Sequence, residues 1–106
     1  MGIDQEIVEE VISRVTRVAP AERIIVFGSA ATDEMTPDSD IDLLVIQREV
    51  RDPWGERLRI REALRDLSYP FDVILMTKER FEETKDVIGG IAYPATRHGK
   101  VIYEAA

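Results

Sequence analysis

The 106-residue chain has no cysteine, which excludes disulfides, thiolate metal sites and a thiol nucleophile. No apolar run reaches the length of a membrane span, so no membrane role is expected. A signal-peptide pattern is absent from the N-terminus, and Glu6 stands where a myristoylation motif wants Ser or Thr. Positive charge is scarce. Fourteen Lys and Arg face 21 Asp and Glu, leaving a net charge of −7, which disfavours direct binding to a nucleic-acid backbone. Aromatic residues make up only 7%, yet 44% of the chain is apolar, too much for disorder and enough for one core. No linker, repeat or low-complexity segment interrupts the pattern. The expectation is a single cytoplasmic domain over residues 1–106.

Periodicity supplies the elements. Asp4 caps a helix on which Ile7, Val11, Val15 and Val18 recur at helical spacing, widened by Val8 and Ile12, until Pro20 ends it. Arg23 to Phe27 is a β-branched run closed by Gly28, the pattern of a buried strand. Ile41 to Ile46 reads as a second strand. Asp52-Pro53 opens a helix, proline being favoured at a first helical position, with Ile60, Ala63, Leu64 and Leu67 on its buried side. Tyr69-Pro70 ends that unit before a third strand, Phe71 to Met76. Thr77 starts a charged helix running to about Lys85. Gly89-Gly90 interrupts it, a short helix follows, and Gly99 precedes a last strand, Lys100 to Tyr103. Alternating helices and strands predict an α/β (α+β) fold, a central sheet of about four strands flanked by helices.

The chemistry lies in the acids. Asp40 and Asp42 stand two apart at the start of an apolar strand, and the two-residue period puts both on one face. Two like charges there are costly unless something compensates, and a hard divalent cation such as Mg²⁺ does so while sharing its shell with phosphates. Asp72 is a third lone acid in a strand. If the two strands are neighbours, the three carboxylates converge. One strand-end aspartate is ordinarily a turn or edge charge; three in this pattern are not. Gly28-Ser29, ending a strand, offers backbone N–H groups and a hydroxyl to an anion. An EF-hand reading of Asp38, Asp40, Asp42 and Glu49 fails, because Leu43 occupies the required glycine position. A P-loop fails too, for want of Gly-Lys-Ser/Thr after Gly28.

Gly28-Ser29, ten residues, then Asp40-Ile41-Asp42 resembles the signature of minimal nucleotidyltransferase domains in the DNA polymerase β-like superfamily. Ser39 through Leu43 matches the common Ser-Asp-x-Asp-Leu form, Asp72 the third carboxylate, and Gly99 to Glu104 the usual ending. The resemblance implies a nucleotidyltransferase fold with a mixed sheet. It implies that Asp40, Asp42 and Asp72 hold two Mg²⁺ ions (Mn²⁺ as substitute) and act in catalysis, with Gly28 and Ser29 on the nucleotide phosphates. The implied substrate is ATP or another nucleoside triphosphate. In this family such short chains often accompany a helical HEPN-type toxin as its antitoxin, some transferring AMP to it. The chain departs from the family at Thr32-Asp33, where relatives commonly carry Arg-Gly. That loses a positive charge near the phosphates and leaves a non-catalytic antitoxin, which inhibits by binding alone, as a rival. Nucleotidylation of a small molecule by a dimer is another.

Arg57, Arg61 and Arg65 form a basic stripe at four-residue spacing, read as a solvated face paired with Glu62 and Asp66. Trp54, the sole tryptophan, is either an interface anchor or a core residue. His98, before Gly99, suits a helix C-terminus. A hetero- or homo-oligomer fits a chain too short to hold its own acceptor.

Overall fold

The computed structural model describes residues 4–28, 40–67 and 69–105. Helix α1 (Gln5–Val18) is capped by Asp4, whose carboxylate accepts from the Glu6 N–H at 3.2 Å, and it buries Val8, Val11 and Val15. It is followed by β1 (Ala21–Phe27), β2 (Ile41–Gln47), α2 (Pro53–Ala63), β3 (Phe71–Thr77), α3 (Lys78–Thr84), α4 (Ala92–His98) and β4 (Lys100–Glu104). The first strand starts two residues earlier than its β-branched run, because Ala21 pairs with Gln47. Helix α2 ends at Ala63, short of Tyr69-Pro70, with turns between. None of the described helices is long and apolar enough to cross a membrane.

The four strands form one mixed sheet in the order β3-β2-β1-β4. β1 is antiparallel to β2 and to β4, whereas β2 and β3 are parallel. A parallel pair needs a crossover, and α2 supplies it. The central strands β1 and β2 are buried along most of their length, which is why they read as continuous apolar runs. Alternation sorts their side chains between two cores. Ile24, Val26, Leu43, Val45 and Val73 pack with Val11 and Val15 of α1, with Ile60 of α2 and with Leu64, which follows α2. On the other face Ile25, Phe27, Leu44 and Ile46 pack with Phe81 of α3 and Ala92 and Ala95 of α4. Gly99 lets α4 close on β1, since a Cβ there would sit 2.7 Å from Ile25 Cγ2.

The start of α2 is fixed by a reciprocal cap. Asp52 accepts from the Gly55 N–H at 3.2 Å, while Glu56 reaches back to the N–H groups of Asp52 (2.7 Å) and Arg51 (2.8 Å). Gln47, fully buried at the end of β2, donates to Glu56 at 2.9 Å and to the Glu49 carbonyl at 3.0 Å. Strand and helix are thus tied through one carboxylate. The Asp52 N–H, then the Gln47 amide, hold the Glu56 carboxyl below its ordinary range.

A carboxyl lowered by folding contributes stability above its unfolded value, near pH 4.3, and loses it as pH falls through the folded value. Glu56→Ala should therefore lower the unfolding free energy by about 1–2 kcal/mol at pH 7. In urea titrations at decreasing pH, the gap from the parent protein should close below pH ~4. A gap that persists there would assign the loss to packing instead.

Candidate active site

Asp42 and Asp72 sit at one end of the sheet and on one face, with Asp40 just before β2. Asp42 shares its face with Leu44 and Ile46, and Asp72 shares its own with Ile74 and Met76, by the two-residue period of each strand. This is the face that α3 and α4 cover, but both helices are only seven residues long. Asp40 and Asp72 are exposed and Asp42 is half-buried, so among the described residues nothing closes over the carboxylate end of that face. The parallel register sets Asp42 directly opposite Asp72. The conditional expectation that the two strands are neighbours is met.

Asp42 is also paired with Phe27 across the antiparallel ladder. The next residue, Gly28, has φ of +73° and lies so near that a Cβ on it would overlap the Asp42 carboxylate. Glycine is needed there twice over, for the left-handed backbone and for the close approach. Ser29 lies outside the described residues, as do Thr32 and Asp33.

Burial raises the Asp42 carboxyl above its usual range, and the charges of Asp72 and then Asp40 raise it further. One cation answers this crowding. Arg57 of α2 donates from Nε to the Val73 carbonyl at 2.6 Å, and its Nη2 is 3.8 Å from Asp72 Oδ1. The same guanidinium therefore covers an edge carbonyl of β3 and faces an acid of the cluster. In the sequence Arg57 was only one member of a stripe. The signal that sets it apart is its place three residues before the buried Ile60, between core and solvent. The stripe divides: Arg65 is 3.4 Å from Glu62, whereas Asp66 pairs with Arg14 of α1. Trp54 is 75% exposed, which excludes the core alternative. His98 ends α4 and is exposed.

Among the described residues no three His, Cys, Asp or Glu side chains are close enough to hold a metal ion by themselves. What the geometry offers is a pair of hard oxygen donors with a third carboxylate nearby. Mg²⁺ commonly takes one or two carboxylates and completes its shell with water and substrate phosphates. The donor set and the raised Asp42 carboxyl fit that ion.

A family model described as a nucleotidyltransferase domain matches residues 5–93. No curated protein sequence matches significantly. Among solved structures, a toxin–antitoxin complex with AMP-PNP is similar over 92% of this chain and 73% of that chain, with TM-score 0.62 and 20% identity. A mutant of the MntA toxin–antitoxin complex, with two aspartates two positions apart changed to glutamate, matches over the same shares, with TM-score 0.63 and 17% identity. A tri-AMPylated Shewanella oneidensis HEPN toxin in complex with an MNT antitoxin matches over 97% of this chain and 74% of that chain, with TM-score 0.57 and 18% identity. These likenesses establish the fold.

Two substitutions at this corner should move stability in opposite directions. Gly28→Ala meets both a left-handed backbone and the Asp42 carboxylate, and should cost about 1–3 kcal/mol. Asp42→Asn removes a like charge and should stabilise the fold at pH 7. A carboxyl raised by folding contributes its stability below the unfolded value and loses it as pH rises through the folded one. The advantage of Asp42→Asn should therefore shrink as pH falls toward about 4. Thermal unfolding of both variants at pH 7 and near pH 4 checks the pair.

Proposed function

The chain belongs to the nucleotidyltransferase domain family, and on that premise we propose that it transfers AMP from Mg²⁺-ATP to a hydroxyl of a HEPN-type toxin, as its antitoxin. The observation that carries this reading is the register of Asp42 against Asp72, with Asp40 two residues from Asp42, at the open end of the sheet. Three acids on an uncovered face of a nucleotidyltransferase fold suit phosphoryl chemistry better than packing.

In the proposed reaction the acceptor oxygen forms a bond to the α-phosphorus, in line with the bridging oxygen to the β-phosphorus. That bridging bond breaks and pyrophosphate leaves with its electron pair. The acceptor proton passes to the Asp72 carboxylate, half-exposed and so within reach of an incoming hydroxyl. When bound, Mg²⁺ supplies positive charge against the phosphates and the crowded acids together. Asp40 and Asp42 are its proposed ligands, completed by Asp72. Gly28, with no side chain, lets the phosphates come close to the backbone beside Asp42, and Ser29 is proposed to join it there. Arg57 keeps Asp72 in place through its paired contacts. The choice of nucleotide and partner is supported by the similar complexes, one with AMP-PNP and another with a tri-AMPylated HEPN toxin.

The test is a transfer assay with α-labelled ATP, Mg²⁺ and the HEPN-type protein of the same organism. A labelled toxin band should form, and Asp40→Ala or Asp42→Ala should reduce it by about 10²–10³-fold or more. A stable complex with no label from any of the four nucleoside triphosphates would leave an antitoxin that acts by binding alone.

A further inference from the structure

We propose that the outer stripe of α2, with the groove beside it, is the docking surface for the acceptor protein, and that it receives an acidic segment bearing apolar side chains. This deepens the transferase reading and rests on it. Trp54, Leu58 and Arg61 follow one another at positions i, i+4 and i+7, so they share one narrow face of the helix. That face points away from Ile60, which is fully buried. Trp54 and Leu58 are 75% and 47% exposed, two large apolar side chains one turn apart. Grouped exposure of this kind marks an interaction surface, and tryptophan and arginine are common anchors in one.

The surface leads to the carboxylates. A groove of about 350 Å³ runs from Leu58 and Arg61 across to Tyr69, Pro70 and Phe71. Phe71 immediately precedes Asp72, and the Pro70 carbonyl accepts from the Ile41 N–H at 2.9 Å, between Asp40 and Asp42 in sequence. Arg57, on the same helix, faces Asp72. Phe71 and Asp72 take opposite faces of β3, so the groove meets the acids at the β3 edge, where Arg57 spans from α2 to Asp72, and a protein seated along α2 reaches them round that edge.

Charge selects the occupant. Arg61 makes no ion pair with a described residue, and Arg65 beyond it is shared only with Glu62. Glu62 lines the same groove and takes up Arg65, so Arg61 is the cation left to a partner there, on a chain of net charge −7. An acidic segment gains from Arg61 what the rest of this surface would refuse. A second copy of the chain, itself at −7, is repelled at long range.

The sole tryptophan makes this directly measurable. With 5-fluorotryptophan incorporated, the full chain gives one ¹⁹F resonance, from residue 54. On titration with the HEPN-type protein of the same organism, that resonance should shift and lose its H₂O/D₂O sensitivity. Leu58→Ser/Arg61→Glu should weaken the complex at least about tenfold while Mg²⁺-ATP binding by the free variant is unchanged. A complex in which Trp54 stays solvent-sensitive, or in which the double variant binds as tightly, overturns the docking surface and leaves the transferase reading standing. A shift that follows protein concentration without the partner assigns the stripe to self-association and overturns it too. Absence of any complex removes the partner, and this proposal with it.

Discussion

Asp42 and Asp72 face each other across a parallel strand pair, and like charges set opposite on neighbouring strands repel. The arrangement persists because the flanking pairs of the same ladder, Ile41 with Phe71 on one side and Leu43 with Val73 through Ile46 with Met76 on the other, are apolar. Their burial outweighs one repulsive rung. The rest of the architecture follows from keeping that pair in register. Parallel strands need a crossover, the crossover is α2, and α2 is held by Asp52, Glu56 and the buried Gln47. The same helix then delivers Arg57 to the acids it helped align. A turn, a cap and a cation are thus consequences of one strand pairing.

The two faces of the sheet are treated differently. One is covered by α1 and α2, whose contacts extend along β1, β2 and β3. Among the described residues, the other carries the short α3 and α4, which cover its apolar half, while its aspartates are exposed or half-buried. These carboxylates keep much of their hydration, while Asp42 is drawn in far enough for burial to raise its carboxyl. Local cost of this kind is usual where groups are kept for chemistry instead of for packing.

An acidic chain that handles an anionic substrate needs positive charge from outside its own net balance. At the proposed site a divalent cation held by the aspartates would supply it, with Arg57 beside Asp72. Along α2 the exposed Arg61 makes no ion pair with a described residue, on a chain that is acidic overall. On the proposed reading, a triphosphate and an acidic protein would draw on different side chains.

Asp4, Asp52-Pro53, Thr77 and Gly99 announced the ends of their helices because caps and breakers act within a few residues. The strands were legible because both faces of β1 and β2 are buried, and because Asp40 and Asp42 obey a local two-residue period. Gly28 was legible as a turn. The sequence by itself therefore determined the elements, the single-layer sheet and the residues that carry charge into it. What it could not determine was anything resting on contact between segments far apart in the chain. The neighbourhood of β2 and β3, the reach of Arg57 to Asp72, the pairing of Asp66 with Arg14 and the exposure of Trp54 were decided only in the tertiary structure. A periodic pattern says which face a side chain takes; which other segment meets that face depends on how all the apolar surfaces are buried at once.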